Sequence, residues 1–180
     1  MSSKTSSSPT GKRVREPVVS SAHLAVGAMP ALSEYEFGLI LASSAFNRWM
    51  VRCMAAAGAP GMSWLDVLVL HAVNHRDRQK TLADLCLVLN IEDTHTVSYS
   101  LKKLARDGLI ETGRLGKEKT AAISKAGAAL CARYHEVREE LLVRTVKTLS
   151  IDEEDLSKLS TLLRGLSGTY DQASRAAAAS

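Results

Sequence analysis

The sequence predicts a mainly α-helical protein with one small β-hairpin, an α+β fold, from three observations. Hydrophobic residues make up 46% of the 180 residues but aromatic residues only 4%, so the core must consist mostly of Leu, Ala, Val and Ile. Such a mixture suits helices better than β-sandwiches. Helix-start signals recur along the chain. A single stretch around Gly116 breaks the helical pattern with two short strand-like runs.

The helix starts are marked by residues whose side chains satisfy free amides of the first turn. Capping boxes begin at Ser33, Ser63, Thr81 and Ser150, and further N-cap candidates are Asp93 and Ser124. Glycines and prolines mark the ends, such as Gly58 with Pro60, and Gly168. The predicted helices span residues 33–57, 63–75, 81–89, 93–107, 125–149 and 151–168.

The order of elements predicts a winged helix-turn-helix flanked by long dimerisation helices. Three short helices precede a hairpin over 109–123, which is the layout of a winged helix. We therefore predict one domain over residues 31–170, bounded by disordered tails at 1–30 and 171–180. The tail at 1–30 is Ser-rich and basic. Within the domain, the predicted DNA-binding lobe is 63–123, and the predicted dimerisation helices are 33–57 and 125–168.

The helices 81–89 and 93–107 form the predicted helix-turn-helix. Leu82, Leu85 and Leu89 share one face of the first helix, and Val97, Leu101 and Leu104 form one stripe on the second. Asn90, between the two helices, is a residue type that tolerates a left-handed backbone. The two apolar faces are expected to pack on each other across this tight turn.

The opposite face of helix 93–107 is suited to duplex DNA. Its N-terminal half carries hydroxyl, imidazole and phenol groups that can reach base edges, and its C-terminal half carries cations that can pair with phosphates. The hairpin tip adds further cations for a minor-groove contact. A solvated polar face is the alternative, which the adjoining hairpin makes the weaker one. The predicted DNA-binding residues are Thr94, His95, Thr96, Ser98, Tyr99, Lys102, Lys103, Arg106, Arg114, Lys117 and Lys119.

Bulk charge alone does not indicate nucleic acid. The formal net charge is +4, but residues 1–30 carry a net +3 of it. Residues 92–125 hold seven Lys or Arg and five Asp or Glu, a net of +2. DNA binding therefore has to be argued from the local arrangement of side chains.

Other classes of function have little support in the sequence. Cys53, Cys86 and Cys131 show no metal-ligand spacing and are expected to be buried and inert, although Arg52 beside Cys53 leaves oxidant sensing open. His71 and His75 lack the carboxylate of a zinc-protease motif. No catalytic motif, cofactor fingerprint, signal peptide or membrane span is present. We predict a protein without cofactor or enzymatic activity, cytoplasmic and associated with the nucleoid.

Two segments resemble the MarR family of bacterial transcription regulators. The run from Thr94 to Ile110 is similar to that family's recognition helix and wing entry, and Ala122–Gly127 is similar to the end of its wing. The outer helices match in pattern, so the resemblance covers residues 33–170. It departs from the family at Tyr99, where Arg is usual, and at Leu115 and Lys117, where an Asp and an Arg are usual.

The resemblance implies a homodimer on an inverted-repeat operator, with a small aromatic effector bound near the first, second and fifth helices. Trp49, Trp64 and His71 are candidates to line that cleft. Leucines 156, 159, 163 and 166 recur at coiled-coil spacing and independently favour a dimer over a monomer. Two rivals remain: a winged helix used for protein–protein contact, and a sensing enzyme on a helical scaffold.

Overall fold

The computed structural model describes residues 28–180, so most of the predicted tail at 1–30 lies outside the described residues. Packing divides the chain into two units, residues up to Asn47 and residues from Arg48 onward. The elements are α1 (Pro30–Ala56), α2 (Trp64–Asn74), a 3-10 turn (His75–Asp77), β1 (Lys80–Thr81), α3 (Leu82–Leu89), α4 (Thr94–Arg106), β2 (Ile110–Leu115), β3 (Glu118–Ile123), α5 (Lys125–Arg138), a π-helical turn (Glu139–Val143), α6 (Arg144–Thr148) and α7 (Glu153–Ala178).

The described part of the first unit is the beginning of α1. The helix begins at Pro30, so the capping box predicted at Ser33 is wrong. Proline suits the first helical position because its φ angle is already helical and its missing N–H would have no partner there. Ile40, Leu41 and Phe46 are 59%, 47% and 53% exposed, which is a large apolar surface for one helix.

The second unit is built around α2, which contacts α3, α4, α5 and β3. Four apolar residues of α2 are fully buried: Val67, Val69, Leu70 and Val73. The end of α1 joins the same core through Met50, Cys53 and Met54. Leu, Ala, Val and Ile make up most of the buried core, together with three Met, two Cys and Tyr134, in agreement with the composition-based prediction.

The predicted hairpin is confirmed, and it belongs to a three-stranded antiparallel sheet in the order β1-β3-β2. Strands β2 and β3 pair from Ile110 with Ile123 to Leu115 with Glu118. The turn between them uses Gly116 at a φ of 62°, a conformation that glycine adopts without strain. The sequence did not indicate β1, because a two-residue strand has no periodicity.

The C-terminal helices differ from the prediction in three respects. The predicted helix 125–149 contains a π-helical turn at Glu139–Val143. Helix α7 is capped by Asp152, while Ser150 takes a left-handed conformation. The helix then continues to Ala178, so the predicted end near Gly168 and the frayed tail at 171–180 are wrong. Alanine, the strongest helix former, dominates this last segment.

Among residues 28–180, no helix combines the length and the hydrophobicity needed to cross a bilayer.

Candidate nucleic-acid interface

Helices α3 and α4 form the predicted helix-turn-helix, and their capping interactions explain its geometry. Thr81 and Asp84 cap α3 reciprocally: the Thr81 backbone nitrogen lies 2.9 Å from Asp84 Oδ2, and the Asp84 backbone nitrogen lies 3.1 Å from Thr81 Oγ1. The hydrogen bonds from Thr81 hold the pKa of the Asp84 carboxyl below its ordinary value. Asn90 ends α3 at φ 52° and ψ 48°, as its left-handed tolerance predicted. Asp93 then caps α4 by accepting a hydrogen bond from the His95 N–H at 2.9 Å.

Helix α4 presents one face to the core and the opposite face to solvent. Val97 and Leu104 are fully buried, and Leu101 is half-buried. On the other side, His95, Tyr99, Lys102 and Arg106 are exposed, with Tyr99 71% exposed. Thr94 and Thr96 are also exposed, and Ser98 is half-buried. The structure thus brings the predicted polar residues onto one accessible surface.

The first turn of α4 uses some of its polar groups internally. The Thr96 hydroxyl donates to the Asp93 carbonyl at 2.8 Å, so its oxygen retains acceptor capacity. At the other end, Arg106 pairs with its neighbour Asp107 at 3.0 Å. Because both side chains of this pair are exposed, the pairing is weak and leaves Arg106 able to exchange its partner for a phosphate.

The wing carries its cations at and next to the turn. Arg114, Lys117 and Lys119 are all exposed, and Arg114 lies directly opposite Lys119 in the β2–β3 register. Like charges in directly opposite positions of a β-ribbon destabilise it unless an anion lies between or beside them. The wing therefore offers a place for an anion.

A groove of about 570 Å³ separates α4 from the wing. Lys102 contributes to its α4 side, and Arg114 and Lys119 contribute to its wing side. Within residues 28–180, none of the ion pairs includes any of these three cations. Further lining residues are Ser98, Leu101, Ala105, Thr112 and Thr120. The groove is thus bordered by three cations, while most of its lining is apolar.

Lys103 does not belong to this surface, which corrects the sequence-based prediction. Its ammonium donates to the Asp66 carboxylate at 2.7 Å and to the Gly61 carbonyl at 2.8 Å. The Asp66 side chain is only 3% exposed. A lysine committed to a buried carboxylate has no charge to offer a phosphate, so the structure leaves Lys102 and Arg106 as the exposed cations of α4.

Two further residues that support the interface were not predicted. Ser100 is buried on α4, and its hydroxyl helps to lower the pKa of the Asp66 carboxyl. Lys80 is 6% exposed and lies beneath the groove, where its ammonium donates to the carbonyls of Val73, His75 and Arg78. The Val73 and His75 carbonyls lie at the end of α2, where a cation also complements the helix dipole, and the Arg78 carbonyl follows the 3-10 turn. In the sequence, the role of Lys80 is indicated only by its position just before a helix cap. Many surface loops have a lysine in that position.

Two of the three cysteines, Cys53 and Cys131, are unsuited to oxidant sensing. Cys53 and Cys131 are buried, and Cys86 is half-buried. Burial raises the pKa of the Cys53 thiol above its ordinary value, so the suggestion that Arg52 would lower it is wrong. Burial raises the pKa of Cys131 to about 11. Thiols in such surroundings stay protonated near neutral pH and react slowly.

Of the three candidate effector residues, Trp49 and His71 lie next to the core and Trp64 does not. The His71 ring packs edge-on against Tyr134 with centroids 4.6 Å apart, and burial lowers the pKa of His71 so that it stays neutral. Trp49 packs partly buried against the core, while Trp64 is 41% exposed.

The region described, residues 28–180, contains no group of three His, Cys, Asp or Glu residues arranged to hold a metal ion.

Comparison with known proteins agrees with this geometry. Residues 62–127 match the family model of a winged helix DNA-binding domain. No curated protein matches the sequence. Among solved structures, a mutant of MarR from E. coli complexed with operator DNA is similar with a TM-score of 0.63 at 15% identity, covering 78% of this chain and 99% of that one. The MarR-family regulator NMB1585 from Neisseria meningitidis gives 0.62 at 18% identity, covering 79% and 94%.

The fold and the match over residues 62–127 therefore define a winged-helix domain of the DNA-binding class. More particularly, the chain has the fold of the MarR-family transcription regulators over most of its length, which confirms the resemblance predicted from the recognition helix. The regulator BldR from Sulfolobus solfataricus shares this fold, with a TM-score of 0.57 at 18% identity and coverage of 73% of this chain and 96% of that one.

Proposed function

We propose that this protein regulates transcription by binding an inverted repeat in duplex DNA as a homodimer. The observation that carries the proposal is the cationic groove between α4 and the wing, bordered by Lys102, Arg114 and Lys119. Three cations without an ion pair in the described chain, next to an exposed helix face, fit a phosphate backbone on one side of a major groove.

The division of labour along α4 supports sequence-specific binding. His95 and Tyr99 are exposed near its N-terminal end, where a recognition helix contacts base edges. Lys102 and Arg106 follow toward the C-terminal end, where they are placed for phosphates. The E. coli MarR structure with a similar fold holds operator DNA, which makes the same docking mode the natural one to test here.

The dimer is proposed from apolar surface left uncovered on α7. Leu156, Leu159 and Leu162 are 42%, 47% and 54% exposed, and no residue of this 26-residue helix is buried. A helix so long with an exposed leucine stripe is stabilised when a second copy covers the stripe. Two recognition helices about one DNA turn apart would follow from the two-fold symmetry.

Modulation by a small aromatic ligand is retained in this proposal as an implication of the resemblance. Its candidate residues are Trp49, Trp64 and His71, of which His71 has a buried Nε2 atom with no hydrogen-bond partner among the described residues.

Selection from a pool of random duplex DNA tests the proposal. Purified protein is titrated against the pool at several salt concentrations, and the bound DNA is sequenced. We expect enrichment of an inverted repeat, weaker binding by Tyr99→Ala and Lys102→Ala, and unchanged binding by Lys147→Ala, which removes an exposed lysine of α6.

A variant without residues 1–27 separates specific from nonspecific binding, since that segment is basic. If this shortened variant still enriches the inverted repeat, the result supports the proposal. If no sequence is enriched, or if binding is lost with the basic segment alone, the protein–protein interaction alternative replaces it.

A further inference from the structure

The recognition helix is anchored to α2 through a single buried carboxylate. Asp66, in the first turn of α2, is 2% exposed. It accepts hydrogen bonds from the Ser63 N–H at 2.8 Å and from the Lys103 ammonium at 2.7 Å. Asp66 therefore acts at once as the reciprocal partner in the cap of α2 and as the attachment point of α4.

Lys103 reaches this carboxylate from a face of α4 that also carries the buried Ser100. Ser100 and Lys103 are three positions apart, which places their side chains one above the other. Lys103 also donates to the carbonyl of Gly61, in the loop that precedes α2. These two hydrogen bonds are made away from the helix axis, to α2 and to the loop before it, and therefore resist rotation of α4 about that axis.

Rotation of α4 decides which side chains face DNA. Successive residues of an α-helix are about 100° apart, so a modest rotation would move Tyr99 and Lys102 away from the direction they share. Val97 and Leu104 also pack α4 on the core, but apolar contacts are not directional. A short charge-assisted hydrogen bond is both stronger and more directional.

The geometry assigns Lys103 a positioning role in DNA binding, exerted through Asp66, rather than a phosphate contact. This inference rests on the proposed function, since it concerns the orientation of the DNA-binding surface. It separates two neighbouring lysines of the same helix: Lys102 is exposed beside the groove and meets the phosphate, whereas Lys103 holds the helix that presents Lys102.

Salt dependence of DNA binding tells the two roles apart. Removing one cation that pairs with a phosphate reduces the slope of log affinity against log salt by about 0.9. Because the proposed dimer carries two copies of Lys102, we expect Lys102→Met to reduce the slope by about 1.8, twice that amount. We expect Lys103→Met to leave the slope unchanged while it weakens binding to the selected inverted repeat about ten-fold relative to a scrambled duplex.

The effect of Lys103 must also disappear when Asp66 cannot hold it. In an Asp66→Asn background, Lys103→Met should cause no further loss of selectivity. Lys102→Met should weaken binding in that background as much as it does in the parent protein. A slope reduced by Lys103→Met, equally in both backgrounds, would show a direct phosphate contact and overturn the inference. Unchanged selectivity in Lys103→Met would overturn it as well.

Hydrogen exchange without DNA supplies a second readout. Amides of α4 should exchange faster in Lys103→Met and Asp66→Asn than in Lys102→Met. If Lys103→Met does not fold, Lys103→Gln, whose amide can still donate one hydrogen bond, gives the same comparison with a smaller effect.

If the unmodified protein enriches no DNA, the proposed function fails and the role of Lys103 in DNA binding fails with it. Unequal exchange rates would then still establish the anchoring of α4, and equal rates would refute it.

Discussion

Gly127 of α5 lies so close to Leu109, at the entry to the wing, that a Cβ atom on Gly127 would come within 2.0 Å of the Leu109 carbonyl oxygen. The same atom would be 2.7 Å from Ile123 Cδ1. Ser124 joins these segments further, since its hydroxyl donates to the Gly108 carbonyl at 2.7 Å and accepts from the Gly127 N–H at 3.0 Å. The wing is thus fastened at its base to α5, while its cationic tip projects into solvent.

Gly127→Ala is expected to destabilise the protein by about 3 kcal/mol, because the added methyl group meets backbone rather than a flexible side chain. The measurement is the free energy of unfolding in urea. Gly165→Ala in α7 is the matched control, since no atom outside its own stretch of helix lies within 4 Å of its Cβ position. The control should be neutral or stabilised by up to about 1 kcal/mol, as alanine replaces glycine in a helix. Equal effects of the two substitutions would contradict the close packing described here.

Lys80→Met is expected to cost about 2 kcal/mol of stability, because it removes a charged donor from three carbonyls at the end of α2 and after the 3-10 turn. Thermal unfolding of the variant and of Lys147→Met, which alters an exposed lysine, gives the comparison. The control should differ from the parent by less than about 0.5 kcal/mol. A stability of Lys80→Met equal to that of the control would mean that water replaces the ammonium without loss.

The Asp66 carboxylate is expected to make the free energy of unfolding decrease at acid pH. Burial alone would raise its pKa, but the hydrogen bonds from Lys103, Ser63 and Ser100 outweigh burial and hold the pKa below the ordinary 3.8. A carboxyl whose folded-state pKa is lowered stabilises the fold above its unfolded-state value, and that contribution is lost as pH falls through the folded-state value. Urea unfolding between about pH 6 and pH 2 should therefore show a smaller acid-induced loss in Asp66→Asn than in the parent. Parallel pH profiles of the parent protein and Asp66→Asn would contradict this role of the Asp66 carboxylate.

Local signals predicted the helix starts well only where no competing residue stood nearby. The caps at Ser63, Thr81, Asp93 and Ser124 are confirmed because each depends on a partner within three residues. The box at Ser33 failed since Pro30 allows the helix to begin a turn earlier.

The roles of Lys103 and Lys80 could not be predicted, because they depend on tertiary contacts. Lys103 and Asp66 are 37 residues apart, and nothing in either neighbourhood indicates the other. Helical periodicity places Lys103 on the flank of α4, from which a flexible lysine can reach either DNA or α2. The exposed face and the cationic wing, by contrast, follow from the pattern itself.

Leu159→Asp in α7 is expected to convert the proposed dimer into a monomer, because a carboxylate in the leucine stripe would be buried without a partner. Sedimentation at several protein concentrations measures the effect. Leu87→Asp is the control, since Leu87 of α3 is 82% exposed and lies outside the stripe, and it should leave the dimer intact. A parent protein that sediments as a monomer at all concentrations would contradict the dimer directly.

The central claim is that two recognition helices of one homodimer read two half-sites on the same face of DNA. The most direct measurement is the affinity for the selected inverted repeat and for the same repeat with about 5 bp inserted between the half-sites, which turns one half-site to the opposite face. The claim predicts one dimer per duplex and a loss of affinity on insertion to the level of a single half-site. Equal affinity for both duplexes, or binding of one independent monomer per half-site, would contradict it.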